Sequence, residues 1–187
     1  MRLMSNEPTT VSPPTIRRPK VSFERERGVY AIQVTRDVAH ALVSVPADAT
    51  RSAEILRVFQ TLTDASVSIF LIKLHRTAVS FALTVADVTR AEAAFETAGF
   101  QVRLRRDLAM VVVKAASMRD VVGIMVDIAD ALYDAGARLY ATGDSHDSVQ
   151  CLIEAQRVEP VIEQLRATFA LEVGAVEERP LVSEGAP

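Results

Sequence analysis

Three histidines, one cysteine and several clustered aspartates are the residues of this 187-residue chain whose types could do chemistry. His146 stands between Asp144 and Asp147 and would offer a metal one nitrogen and two carboxylates. The run Gly143–Asp144–Ser145–His146–Asp147 is also what a turn between two strands selects for backbone reasons alone. His40 and His75 fall in a strand and a turn, and no His/Cys spacing suits zinc. Asp127, Asp130 and Asp134 match a cation site only by count; at helical spacing they read as a solvated face. Cys151 sits beside Gln150 in an alternating segment, which is the setting of a buried structural thiol. Seven glycines leave little material for a nucleotide cradle, and no phosphate loop, nucleophile elbow or kinase element is found. The residues predict no catalytic centre, no cofactor and no resident metal.

The elements that would position any site are organised by an internal repeat. Asp37 to Leu83 returns as Asp107 to Ile153 at a constant offset of 70 residues. Asp37, Ala39 and Val43 fall on Asp107, Ala109 and Val113; Leu62, Asp64, Ala65 and Val79 fall on Leu132, Asp134, Ala135 and Val149. The order of elements repeats too: apolar strand, amphipathic helix, two strands, second helix. Val38–Val45 and the run Leu108–Ala115 open the two copies as strands. The first helix follows Pro46–Thr50, with Thr50 or Ser52 as its cap and Ile55, Phe59 and Leu62 buried. Strands over Val67–Leu74 and Ala78–Val85 lead to a helix over Val88–Ala98 that stops at Gly99, and Gln101–Arg105 closes the first copy. In the second copy the helix buries Ile124, Met125, Ile128 and Leu132 and ends at Gly136. Strands at Arg138–Ala141 and Val149–Glu154 precede a last helix with Pro160 in its first turn. Only Leu171–Val173 remains after it, so this copy lacks a fourth strand. The extra strand Val29–Thr35 is expected to fill that place, because an unpaired edge is a liability.

Composition bounds the partners. Hydrophobic residues make up 49% of the chain and aromatic ones 5%, with no Trp, so the core must be aliphatic. A net charge of −3 gives no electrostatic case for nucleic acid. No apolar run approaches the ~20 residues of a membrane span, and residues 1–20 lack the apolar core of a signal peptide. With one cysteine and no possible internal disulfide, the chain reads as soluble, cytoplasmic and globular. Residues 1–27, with four prolines before Lys20, are expected to be a disordered tail.

The segments AHALVSV, ILRVFQTLTDASVSIFLI and VSFALTV, then LAMVVVKAASMRDVVGIMVDIADALYDAGARLY and VQCLIE, resemble the paired ACT domains of aspartate kinases. Met118, Arg119, Gly123, Leu132, Ala135 and Gly136 match the second repeat of that family at the proper spacing, and GVYAIQVTRD resembles its leading strand. The resemblance covers residues 28–174. It implies an α+β fold of two ferredoxin-like βαββαβ (ACT) units, with antiparallel sheets covered by helices on one face. The expected division is residues 38–106 for the first ACT domain, 28–37 plus 107–174 for the second, and 175–187 as a flexible tail. With only about 27 residues ahead of the match, no kinase domain is expected, and regulation rather than phosphoryl transfer is what the resemblance carries over. It implies a homodimer that binds a small amino acid, of lysine or threonine type, at an interface between repeats, and a partner biosynthetic enzyme.

The ligand-binding candidates are Asp48, Thr50, Arg51, Ser66 and Ser68 in the first repeat and Met118, Arg119, Asp120 and Arg138 in the second. A helix N-terminus would take the carboxylate and strand-edge carbonyls or hydroxyls the ammonium. The first repeat replaces the family's Pro-Gly by Ser52–Ala53, whereas Gly123 retains the glycine. Family precedent still points to the first repeat. The competing expectations are a ligand-free dimerisation or interaction module, and a ferredoxin-like enzyme, which ungrouped catalytic side chains disfavour.

Overall fold

A computed structural model describes residues 28–116 and 122–180. The elements are β1 (Gly28–Ser44), α1 (Arg51–Asp64), β2 (Ile69–His75), β3 (Ala78–Thr84), α2 (Val88–Thr97), β4 (Val102–Ala116), α3 (Ile124–Asp134), β5 (Ala141–Asp144), β6 (Ser148–Glu154), α4 (Val158–Thr168) and β7 (Val176–Glu178). The fold is α+β. Six strands lie in the order β2-β3-β1-β4-β6-β5, every neighbouring pair antiparallel, and β7 adds to β1 in parallel.

Two differences from the sequence reading define the architecture. Val29–Thr35 and Val38–Val45 are one strand, β1, and Gln101–Arg105 and Leu108–Ala115 are one strand, β4. Each bends at an aspartate in the left-handed region, Asp37 at φ 57° and Asp107 at φ 58°. The β1–β4 register shifts here, between Thr35 and Val38 and again between Val38 and His40. A bulge inserts an extra residue and reverses which face the following side chains occupy. So even-numbered Ile32 and Val34 enter one core, while odd-numbered Ala39, Ala41 and Val43 enter another. In β4, Val102 and Leu104 pack on the latter core, and Ala109, Val111, Val113 and Ala115 belong to the former.

Each of the two strands is therefore divided between the cores. The core around Phe81, Phe95, Val58 and Leu62 is built by α1, α2, β3, the C-terminal half of β1 and the N-terminal half of β4. The core around Ile128, Leu132, Val161 and Leu165 takes the opposite halves. Ile32 faces Val113 in the ladder, as the missing fourth strand of the second repeat requires. The chain also supplies strand structure beyond Val173: Val176–Glu178 pairs with Ile32–Val34, and Arg179 donates its N–H to Val34 O at 2.7 Å. The sequence reading placed a flexible tail from residue 175; the polar character of Glu177 and Glu178 hid a short strand whose side chains bond Gln33 and Arg36.

A third cluster lies where the halves cross: Val38, Ala82, Leu108 and Leu152. These are two pairs related by the repeat offset, and Phe70 and Tyr140, packed against them, are a third.

Helix ends follow local chemistry. After α1, Val67 N–H reaches Leu62 O and Ser66 N–H reaches Thr63 O, both at 2.9 Å; after α3, Ala137 and Gly136 repeat the pattern to Leu132 and Tyr133. This double bond requires a left-handed residue, Ser66 at φ 52° and Gly136 at φ 63°. Glycine adopts that conformation freely and serine does not. Thr50 occupies the N-cap position of α1, but neither it nor Ser52 caps the helix with its side chain. Met125, expected in the buried stripe of α3, is 46% exposed, because Ile124, Ile128, Ala131 and Leu132 complete that stripe without it. Asp127, Asp130 and Asp134 are on the exposed side. No described helix is long and apolar enough to cross a membrane.

Candidate functional site

The candidate residues of the first repeat are engaged with the protein itself. Asp48 Oδ1 accepts from Thr50 Oγ1 at 2.6 Å and from Thr50 N–H at 2.8 Å. Those bonds, the hydroxyl's first, hold the Asp48 carboxyl below its ordinary range. Arg51 Nη2 donates to His75 O at 2.7 Å and its Nε to Arg76 O at 3.2 Å. The guanidinium thus ties the start of α1 to the β2–β3 hairpin. Ser66 and Ser68 are exposed at the opposite end of α1. Fourteen helical residues separate the two groups, a length of about 21 Å. They do not meet within this chain.

In the second repeat, Met118, Arg119 and Asp120 lie outside the described residues. Arg138 is exposed, and its N–H donates to Glu154 Oε2 at 2.9 Å. Here the counterpart of the gap bridged by Arg51 is a cleft of about 560 Å³ between the start of α3 and the β5–β6 hairpin. Ile124, Met125, Thr142, Asp144, Ser145, His146 and Val149 line it. Gly123 explains the different helix start. Its φ of 90° makes it the N-cap of α3, whereas Ala53, its equivalent, is already helical in α1, which begins at Arg51. Val126 and Asp127 N–H bond Gly123 O, and among the described residues no side chain caps the helix.

Hydrogen bonding sorts the lining groups. Ser145 Oγ is held by Asp147 Oδ1 and Ser148 Oγ, both at 2.7 Å, and Thr142 Oγ1 donates to Gln150 O at 3.0 Å. The Ser145 hydroxyl, with Lys114 and His146 nearby, holds the Asp147 carboxyl below its usual value. The Asp144 carboxylate has no hydrogen-bond or ion-pair partner among the described residues, and His146 acts on Asp147 by its charge alone. An uncapped helix N-terminus facing a free carboxylate can receive a carboxylate at the former and an ammonium at the latter. Sequence reasoning had Asp144 and His146 only as turn residues or metal ligands; among the described residues no group of three metal-binding side chains forms. The signal for the cleft was the repeat itself: Arg51, which bridges the first unit, is matched by Val121.

Comparison with known proteins agrees with this architecture. Residues 103–167 match the ACT domain family. In fold the chain resembles the regulatory regions of aspartate kinases. The ligand-free regulatory subunit of aspartate kinase from Thermus thermophilus superposes with a TM-score of 0.68 at 19% identity, over 75% of this chain and 97% of that one. Aspartate kinase from Synechocystis gives 0.72 at 19% identity, over 94% of this chain but 32% of the enzyme. E. coli aspartokinase III in complex with lysine and aspartate gives 0.58 at 17% identity, over 78% and 34%. No curated protein sequence matches the chain.

Proposed function

We propose that this chain is a non-catalytic regulatory protein that senses a small amino acid of lysine or threonine type. In this reading residues 38–106 and residues 28–37 plus 107–174 are two ferredoxin-like ACT units. The observation that carries it is the open cleft at the uncapped start of α3, with the Asp144 carboxylate on its wall, in a fold shared with aspartate kinase regulatory subunits. The ligand belongs in the second unit, because in the first the equivalent gap is bridged by Arg51 and the Asp48 carboxylate is taken by Thr50. The protein works as a homodimer that acts on a biosynthetic enzyme. α3 favours the dimer: Val126 and Tyr133, two turns apart on the helix, are 62% and 82% exposed, and Val122 just before the N-cap is 97% exposed, too much apolar surface for a free face.

Thermal-shift measurements with lysine, threonine and the other common amino acids test the reading. A ligand at a hundredfold excess over Kd should stabilise the fold by about 2.7 kcal/mol, and Asp144→Asn should remove the shift. A melting temperature unmoved by every amino acid would favour the second reading, a ligand-free interaction module, which the self-engaged loop of the first unit supports.

A further inference from the structure

The two units end their sheets differently. In the second, the last strand is the N-terminal half of β1, and β7 covers its outer edge by pairing with residues 32–34. The repeat offset places residues 102–104 of β4 at the equivalent edge of the first unit. There β4 pairs with β1 on one side, and β6 joins its other side only from Leu108 onward. Ser44 donates its N–H to Gln101 O at 3.0 Å, so by antiparallel alternation Gln101 and Arg103 exchange their backbone bonds with β1. Val102 and Leu104 turn their N–H and C=O groups the other way. Among the described residues nothing bonds those groups.

The side chains carry the comparison further. On the covered edge Gln33 donates to Glu177 at 3.1 Å. Arg36 holds Glu159 of α4 through Nη2 at 2.6 Å and Glu178 of β7 through Nε at 2.9 Å. The equivalents on the open edge are Arg103 and Arg106. Arg103 is exposed and has no hydrogen-bond or ion-pair partner among the described residues. Arg106 holds Glu92 of α2 through Nη2 at 2.7 Å, and among the described residues its Nε has no partner. Each arginine thus ties its strand to a helix, and only Arg36 has the strand carboxylate as well. Arg105, stacked over the Tyr140 ring at 4.8 Å, adds a further positive charge to the open edge.

We propose that residues 102–104 are the docking edge for an extended acidic segment of a partner protein, an apolar residue followed by two carboxylates, laid parallel to β4 as β7 lies on β1. The outward backbone groups of Val102 and Leu104 supply the added ladder, and Arg103 and Arg106 take the carboxylates. A second copy presenting the same edge would set arginine against arginine, and like charges across a strand pair are destabilising. The arginines therefore guard the edge against self-pairing while selecting an acidic strand. The inference does not rest on the α3 cleft or on amino-acid binding.

The probe is the peptide acetyl-Gly-Ala-Val-Glu-Glu-amide, which copies residues 174–178 and carries a terminal amide in place of the Arg179 N–H. It is titrated into the intact chain and followed by amide chemical shifts. Perturbations should centre on Val102, Arg103, Leu104 and Arg106. Arg103→Gln and Arg106→Gln, both at exposed positions, should each weaken binding about tenfold and leave the melting temperature of the free protein unchanged. The peptide with both glutamates changed to glutamine should bind more weakly by a similar factor. The inference is overturned if the peptide does not bind, if the perturbations centre on residues 32–34, where it would be displacing β7, or if the glutamine peptide binds equally well. It is also overturned if amide exchange at Val102 and Leu104 in the free protein slows as its concentration rises, since a second copy would then occupy the edge.

Discussion

Val38 and Leu108, equivalent positions of the repeat, face each other directly in the β1–β4 ladder, both fully buried. A local twofold relation between the halves therefore passes through this pair. Ala82 and Leu152, Phe70 and Tyr140, and the bends at Asp37 and Asp107 are arranged about it. Leu108→Ala should cost about 3 kcal/mol, as for a large-to-small change in a close-packed core. Because Ile32 and Val34 complete the second core and β1 and β4 run unbroken through both units, denaturant unfolding followed by circular dichroism should remain a single transition. Two separated transitions would show that the halves unfold independently.

Ser66 and Gly136 hold the same left-handed position after equivalent helices. Ser66→Gly should therefore stabilise the protein by about 0.5–1 kcal/mol, by relieving a conformation that costs an L-residue. Gly136→Ala should destabilise it by a similar amount. Paired chemical-denaturation curves check both signs.

His40 occupies the position equivalent to Met110, and its Nε2 is buried without a hydrogen-bond partner among the described residues. Burial, then the neighbouring charges of His75 and Arg105, lowers its pKa from the ordinary histidine value. The unfolded chain takes up this proton more readily, so stability falls as pH drops below about 6.5. His40→Met restores the residue type found at the equivalent position. It should raise stability by about 1 kcal/mol at neutral pH and reduce the loss on acidification, as read from melting temperature against pH.

Cys151 is buried in β6, and burial pushes its thiol up to about 11. The nucleophile is the thiolate, so the native protein should resist iodoacetamide at pH 8 and react only as it unfolds. The shift also destabilises the fold at high pH, since the unfolded thiol ionises first, near pH 9. Rapid alkylation of the folded chain would contradict the burial.

The repeat was legible because its register is strict, and the core followed from alternation in each segment. The continuity of β1 and β4 was not. Arg36–Asp37 and Arg106–Asp107 interrupt the apolar pattern as a loop would, and a sequence does not separate a polar bend within a strand from a connection between two strands. The short β7 was hidden in the same way, because its stability comes from Gln33 and Arg36, far away in the chain. In the first unit the gap equivalent to the α3 cleft is closed by bonds from Arg51 to carbonyls 24 and 25 residues ahead, which no local pattern announces. Only the unlike partners Arg51 and Val121 hinted at it.

The N-terminal half of β1 fastens the first unit to the second as a hook would. A protease that nicks β4 near Asp107 would release neither half, because Ile32 and Val34 of the N-terminal fragment would stay in the core of the C-terminal fragment and keep their ladder to Val113 and Val111. The cut fragments would hold each other until both cores opened together, so a nicked protein should co-migrate with the intact one under native conditions and separate only in denaturant.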